Sequence, residues 1–163
     1  METLELDRLD YRIMHILASD ARSSDVAIGE AVGLSSNAAA RRRRLLEGHG
    51  VIERYTAQFD LDRLGFGILV LVQMELVSQS DDALDRFEAA IQKCSAVSKC
   101  WFVSGDVDFL ALVHVPSLHD FDETYRQELS SLPNVARIRS SFVLRSVIDR
   151  PTALRVLESA GRP

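Results

Sequence analysis

Residues 33–50 read GLSSNAAARRRRLLEGHG, the segment of this chain with the strongest local structural signals. Gly33 can adopt the left-handed backbone conformation that ends a helix, and the Ser35 hydroxyl can cap the helix that follows. Gly50 provides a second stop signal. The spacing therefore predicts a helix over residues 36–49 that begins directly after a tight turn.

Two further helices are predicted upstream of this segment. Apolar residues recur at helical spacing between residues 6 and 19, and a second short helix is predicted from the N-cap Ser24 to Gly33. Downstream, VIERYTAQF at residues 51–59 predicts a strand. This order of helix, helix, tight turn, helix and strand predicts a helix-turn-helix domain of winged-helix-like type.

The third predicted helix carries four consecutive arginines at residues 41–44. Its N-terminal end presents short side chains, which let a helix enter the major groove, and arginines can then reach phosphates or guanine edges. An arginine run is also typical of a solvated helix face, but the preceding turn and helices favour a DNA-binding surface. The candidate DNA-binding residues are Ser35, Ser36, Asn37, Arg41, Arg42 and Arg44.

Arg43 differs from its neighbours in the run. At 100° per residue it shares a face with Ala39 and Leu46, which should point inward. We expect its aliphatic stem to lie on the edge of the core and its guanidinium to reach solvent.

The rest of the chain has strand and helix patterns in the order β-α-β-β-α-β, which is the ferredoxin-like split topology. Such a domain has a four-stranded antiparallel sheet with both helices on one face. The other face would carry Leu69 and Leu71, and we expect it to pack against a second copy of the chain. The strands are predicted near residues 66–77, 97–103, 109–115 and 135–147, and the helices near residues 82–93 and 118–132.

The chain resembles the Lrp/AsnC (feast/famine) family of bacterial and archaeal transcriptional regulators in LDRLDYRIMHILASDARSS (residues 6–24) and GEAVGLSSNAAARRRRLLEGHGVIERYTAQFDLDRLG (residues 29–65). The shared pattern has an opening L-D-x-x-D helix, the G-L-S turn, R-R and L-E in the third helix, and G-V-I before a strand. Arg43 replaces the usual Ile or Val. Gly29 replaces the usual Ala, at a cost of about 1 kcal/mol in helix propensity.

The resemblance implies a cytoplasmic, nucleoid-associated transcriptional regulator that binds double-stranded DNA. It also implies that the second domain is the family's effector-binding (RAM) domain, which dimerises through its sheets and commonly assembles into octamers. No cofactor is implied. The effector would be an amino acid or a similar small metabolite that modulates assembly or DNA binding.

The sequence SGDVDF at residues 104–109 resembles the family's G-D-x-D loop, which takes part in amino-acid binding. Asp106 or Asp108 could accept an α-ammonium group, and backbone N–H groups of a glycine turn could bind a carboxylate. On extended backbone the two aspartates would point the same way. The alternative is a plain hairpin turn, and a metal site is disfavoured for lack of further oxygen ligands. The candidate effector-binding residues are Ser104, Gly105, Asp106, Val107 and Asp108, with Ile138 and Ser140 added by family analogy.

The composition at first opposes a nucleic-acid partner. The 163 residues carry a formal net charge of −5, whereas binding to phosphates is driven by Lys and Arg. The acidic residues of the first domain lie mostly at its start, however, so the arginine run is a separate basic patch. The polar, acidic N-terminus argues against export, and the lack of long apolar runs argues against a membrane partner. Cys94 and Cys100 are expected to be free thiols.

Catalysis is not expected, because no nucleophile with a neighbouring base, phosphate-binding loop or dinucleotide fingerprint occurs. The alternative from another class is a sirohaem-decarboxylase-like enzyme on the same architecture, for which only His114 and Arg139 are candidate groups. A third possibility is an effector-binding scaffold with a vestigial DNA-binding unit. The four arginines favour the regulator.

Together these patterns predict an α+β chain. The helix-turn-helix domain would cover residues 1–52 and a linker strand residues 53–65. The ferredoxin-like domain, for effector binding and oligomerisation, would cover residues 66–150, followed by a C-terminal helix or tail at residues 151–163.

Overall fold

The computed structural model describes residues 4–150 and 152–157. Apart from the strand predicted after the third helix, the elements follow the predicted order, with ends shifted by a few residues. They are α1 (Arg8–Ser19), α2 (Asp25–Val32), α3 (Ser36–Gly48), β1 (Ile68–Leu76), α4 (Asp81–Ile91), β2 (Val97–Phe102), β3 (Phe109–Val115), α5 (Leu118–Thr124), a π-helical turn (Tyr125–Leu129), β4 (Val135–Phe142) and the short α6 (Leu154–Leu157).

The first three helices pack around a small apolar core. Ser24 and Ser35 cap α2 and α3 by accepting hydrogen bonds from the backbone N–H groups of Ala27 and Ala38. Gly33 ends α2 in the left-handed conformation at φ 78°. The predicted turn and both serine caps are therefore confirmed. The buried core residues are Ile13, Leu17, Ile28, Val32, Ala39 and Leu46.

Gly29 has a packing role that helix propensity alone does not reveal. It is buried in α2, and a Cβ atom at this position would lie 2.7 Å from the carbonyl oxygen of Leu34 and 3.2 Å from the carbonyl carbon of Ser35. Both neighbouring atoms belong to the backbone, which cannot swing away as a side chain does. Gly29 therefore allows the turn before α3 to lie directly against α2.

The strand predicted at residues 51–59 is wrong. Residues 53–60 have no regular hydrogen-bond ladder in the described part of the chain, and residues 61–65 form turns. A β-strand needs a neighbouring strand to pair with, and this segment has none among the described residues. The segment between α3 and β1 is therefore a linker without a strand of its own.

The second half of the chain forms the predicted four-stranded antiparallel sheet, with the order β2-β3-β1-β4. Strict alternation in β1 places Val70, Val72 and Met74 in the core. Fully buried Phe87 of α4 packs against Phe109 of β3, with ring centroids 4.3 Å apart and ring planes tilted by 35°. The split β-α-β-β-α-β topology is confirmed.

The last strand is shorter than the sequence suggests. β4 ends at Phe142 rather than near residue 147. Its partner β1 begins at Ile68, and the Val143 N–H makes one more hydrogen bond, 2.9 Å long, to the carbonyl of Leu69. Beyond that point the chain has no further β1 backbone to pair with.

The described chain divides into two compact units. One contains the residues up to Gln58 together with those from Ile148 onward, and the other runs from Phe59 to Val147. Within the first unit α6 packs on α1, and the Gln58 amide donates to Asp149 over 3.0 Å. Of the terminal helix predicted after Pro151, that proline and residues 158–163 lie outside the described residues. No helix in the described ranges is long and apolar enough to cross a membrane.

Candidate DNA-binding surface and effector loop

The N-terminal end of α3 presents the small polar surface that the sequence predicts. Ser35, Ser36 and Asn37 are exposed. The Ser35 hydroxyl accepts the Ala38 N–H over 3.3 Å as the helix cap, while Asn37 makes no hydrogen bond within the described part of the chain. A side-chain amide that is exposed and unpaired is suited to read a base edge.

Arg41 and Arg44 lie on the same exposed side of α3 as Asn37. Among the described residues neither guanidinium has an ion-pair partner, although both belong to an acidic chain. They are therefore available for phosphates or guanine edges, as the sequence predicts.

Arg42, predicted to contact DNA, faces α1 instead. Its Nη1 lies 2.8 Å from Asp7 Oδ2 and 2.8 Å from Asp10 Oδ1. Asp10 is only 7% exposed, and it forms a reciprocal capping box with Asp7 at the start of α1. The assignment of Arg42 to the DNA-binding set is corrected, because one helical step from Arg41 turns its side chain onto α1. The signal in the sequence was the L-D-x-x-D pair, two carboxylates that need a cation.

These ion pairs also shift the pKa values of Arg42 and Asp7. The hydrogen bond to Asp10 raises the pKa of Arg42. Loss of hydration acts to raise the pKa of Asp7, but the Asp10 N–H and the Arg42 guanidinium outweigh it and lower that pKa. The contribution of ionised Asp7 to stability is thus present above the ordinary aspartate pKa and is lost as the pH falls through the lower folded-state value.

Arg43 does not send its guanidinium into solvent, so that expectation is wrong. Its Nη2 lies 3.1 Å from Asp25 Oδ2 at the start of α2, and its Nε lies 3.6 Å from Glu47 Oε1. The side chain is 28% exposed. The Asp25 carboxylate of the neighbouring helix pairs with the Arg43 guanidinium at the edge of the core, so the guanidinium does not extend into solvent as predicted.

In the G-D-x-D loop the two aspartates have different environments. Asp106 is exposed, whereas Asp108 is 6% exposed and its carboxylate accepts hydrogen bonds from the Leu76 N–H, at 2.6 Å, and the Gln79 amide. The prediction that they point the same way is wrong, because the backbone bends at residues 104–106, where Gly105 has φ 130°, and bends again at Asp108 instead of running extended. Asp108 is therefore an anchor of the loop, which leaves Asp106 as the free carboxylate.

The remaining effector candidates lie around one end of the sheet. Ile138 pairs with Met74 of β1, and Asp108 donates its N–H to the Met74 carbonyl at 3.0 Å. Ser140 is exposed two positions further along β4, opposite Val72. In the loop itself, Ser104 and Gly105 are exposed and Val107 is half-buried. Ile138 is partly buried and packs against the core of the sheet unit.

The face of the sheet without helices is partly apolar. Leu71 pairs with Leu112 across β1 and β3, and both are half-buried. Trp101 on β2 is 45% exposed beside Leu110. This is the surface that the sequence predicts to contact a second copy.

The two candidate groups of the enzyme alternative, His114 and Arg139, lie apart in the sheet. His114 pairs with Leu69 and Arg139 with Gln73, so they are offset by four residues, or about 13 Å, along β1. Burial lowers the pKa of His114 and raises the pKa of the Cys100 thiol to about 11. Both cysteines are free, and no cluster of described residues could hold a metal ion.

Two family models match the chain. The AsnC-type helix-turn-helix domain matches residues 6–47, and the Lrp/AsnC ligand binding domain matches residues 69–153. Among curated relatives, the Bkd operon transcriptional regulator of Pseudomonas aeruginosa is 38% identical over 146 residues, which cover 90% of this chain and 95% of the relative. The leucine-responsive regulatory protein of Salmonella typhimurium is 35% identical over 143 residues, covering 88% and 87%.

Solved structures agree with this result. A Neisseria meningitidis transcriptional regulator in complex with L-methionine superposes with a TM-score of 0.88 at 26% identity, covering 94% of this chain and 99% of the other. An AsnC family regulator from Agrobacterium tumefaciens gives 0.85 at 28% identity, covering 91% and 96%. These relatives are named as regulators rather than decarboxylases, which favours the regulator over the enzyme alternative. The chain belongs to the Lrp/AsnC family and is a DNA-binding transcriptional regulator.

Proposed function

We propose that this regulator reads its operator with the N-terminal half of α3. Ser35, Ser36 and Asn37 would enter the major groove, and Arg41 and Arg44 would contact phosphates or guanine edges. The observation that carries this proposal is the division of the arginine run: two guanidinium groups on the Asn37 side have no ion-pair partner among the described residues, and two are engaged by carboxylates.

The proposed effector is an amino acid. Relatives support the class, since one is named leucine-responsive and another is bound to L-methionine. In the loop, the Asp106 carboxylate would accept the α-ammonium group, and backbone N–H groups around Ser104 and Gly105 would bind the α-carboxylate. Asp108 and Ile138 would hold this loop in place, and Val107 and Ser140 would flank it.

Assembly and location complete the proposal. The helix-free sheet face would pack on a second copy to form a dimer, and dimers would associate further, up to an octamer. Residues 1–52 would bind DNA, residues 53–65 would link, residues 66–150 would bind the effector and oligomerise, and residues 151–163 would form the tail. The protein would act in the cytoplasm, associated with the nucleoid when bound to DNA.

DNA binding is tested with a duplex recovered by selection from a random-sequence pool. We expect specific binding whose affinity falls steeply between 50 and 200 mM salt, since phosphate binding releases counterions. Absence of binding, or an affinity independent of salt, would contradict the proposal.

Effector binding is tested by a thermal-shift screen of the twenty amino acids. A true effector raises the unfolding midpoint because it binds only the folded state, and Asp106→Asn should abolish that rise. Asp85→Asn, at another aspartate of the same unit, is the matched control. A rise that survives Asp106→Asn would remove this carboxylate from the site.

A further inference from the structure

Four side chains are linked by ion pairs and hydrogen bonds in the helix-turn-helix unit, here called the Arg43 network: Asp25, Arg43, Glu47 and Tyr55. The link from Arg43 to Glu47 is an ion pair only, because Arg43 Nε has no hydrogen-bond partner among the described residues. Asp25 opens α2, Arg43 and Glu47 lie one turn apart on α3, and Tyr55 belongs to the segment that leaves the unit. The Tyr55 hydroxyl donates to Glu47 Oε1 over 2.7 Å. Neighbouring parts of the unit are thus joined at side chains rather than through a backbone ladder.

Arg43 occupies a helix position where packing against the core would favour an apolar residue. Arg43 is charged, yet it lies on the same helix face as Ala39 and Leu46, which are both buried in the core. A charge at the edge of a core is tolerated only when it is paired, and here two carboxylates flank the guanidinium. Asp25 lies in the first turn of α2.

Tyr55 is the member that lies outside the helices. It is 47% exposed, and residues 53–60 around it have no regular backbone pairing in the described chain. Its pKa is raised to about 12 by burial and by the Glu47 carboxylate, so the hydroxyl keeps its proton and remains a donor at neutral pH. The hydroxyl therefore attaches this segment to the C-terminal half of α3.

We propose that the Arg43 network positions the recognition helix: Arg43 and Tyr55 touch no DNA, but they fix α3 against α2 and against the departing segment before DNA binds. The inference rests on the proposed use of α3 for DNA reading and deepens it. A helix held in place before binding loses less conformational entropy on the operator, so the network raises DNA affinity. A half-exposed hydrogen bond contributes little to global stability, so the two effects separate.

Tyr55→Phe tests the proposal, since it removes only the hydroxyl and leaves the charge facing DNA unchanged. We expect affinity for the selected duplex to fall about fivefold, with the thermal midpoint within about 2 °C of wild type. Tyr11→Phe is the matched control, because the Tyr11 hydroxyl makes no hydrogen bond in the described part of the chain, and it should leave the affinity unchanged.

A double-mutant cycle separates a network from independent interactions. In an Arg43→Met background, Tyr55→Phe should change affinity less than twofold, because Glu47 is no longer tied to α2 through Arg43. The cycle cancels the uniform effect of the missing charge on DNA binding. If Arg43→Met does not fold, Asp25→Asn provides the second background.

Hydrogen exchange rates of the α3 amides, measured without DNA, report how firmly the recognition helix is held in place. Tyr55→Phe should speed exchange in the last turn of α3 severalfold, and Tyr11→Phe should not. Three results would overturn the proposal: unchanged α3 exchange, the same fold-change in both cycle backgrounds, or a loss of affinity matched by a general loss of stability. A wild-type protein that binds no DNA would instead contradict the proposed function, while the exchange experiment still decides the network.

Discussion

The two units of this chain are stabilised in different ways. Among the described residues, the core of the sheet unit contains fourteen buried side chains, including Phe87 and Phe109, whereas the core of the helix-turn-helix unit contains six and no aromatic ring. The smaller unit adds ties between its helices: Arg12 donates to the Ala31 carbonyl over 2.6 Å, and Arg42 and Arg43 pair with carboxylates of α1 and α2. A small domain with little apolar area to bury relies more on polar interactions.

The four arginines of the run have different surroundings. Successive residues of a helix point 100° apart, so four consecutive arginines must face different surroundings. Arg42 and Arg43 pair with carboxylates of the other helices, whereas Arg41 and Arg44 have no ion-pair partner among the described residues. The run that looks uniform in sequence therefore divides into a structural pair and a pair that we propose to bind DNA.

The largest effect should come from the aromatic pair in the sheet core. Phe87→Ala removes a fully buried ring and should destabilise the sheet unit by about 3–5 kcal/mol, because apolar burial is reduced and a cavity is left behind. Urea unfolding at fixed protein concentration measures the loss in free energy of unfolding. Val77→Ala, at an exposed position, is the control. A loss below about 1 kcal/mol would show that this core is not the main source of stability.

Breaking an interhelical tie should have the next largest effect. Asp10→Asn leaves Arg42 with only the half-exposed carboxylate of Asp7 and weakens the capping box, which should cost about 2–3 kcal/mol, below the range for fully buried pairs. The control is Asp82→Asn in the exposed Arg86–Asp82 pair of α4, which should cost less than about 1 kcal/mol. Equal losses in both variants would show that the two units do not differ in their reliance on ion pairs.

A smaller effect is expected at the turn that places α3. Gly29→Ala gains helix propensity but puts a Cβ atom 2.7 Å from the Leu34 carbonyl oxygen, and we expect a net loss of about 1–2 kcal/mol. Gly48→Ala, with no atom within 4 Å of the added Cβ, should instead stabilise by about 0.5–1 kcal/mol. Thermal unfolding of the two variants should move in opposite directions, and a stabilising Gly29→Ala would show that the turn does not need a glycine beneath it.

The features that followed from sequence were those set by local periodicity and by cap residues. Alternation along β1 separated the buried face from the face of Leu69 and Leu71, and Gly33 and Ser35 marked the turn before α3. These signals act over a few residues, so they can be read without the fold.

The features that sequence missed depend on distant partners. Arg42 meets Asp10 across 32 positions, and Asp108 meets Leu76 across 32 positions as well. Whether a charged residue binds a ligand or holds the fold depends on which groups the fold brings to it, and spacing along the chain does not show this. The prediction of a linker strand was wrong for the same reason, since a β-strand requires another strand to pair with.

The proposed division of the arginine run, in which Arg41 and Arg44 would bind DNA and Arg42 stabilises the fold, can be tested directly. The quantity to measure is the slope of log affinity against log salt for the wild type, Arg41→Ala/Arg44→Ala and Arg42→Gln on one duplex. We expect the double variant to lower the magnitude of the slope by about 0.9 for each phosphate that is no longer neutralised. Arg42→Gln should keep the wild-type slope and lower only thermal stability. An unchanged slope in the double variant, or a reduced slope in Arg42→Gln, would contradict this division.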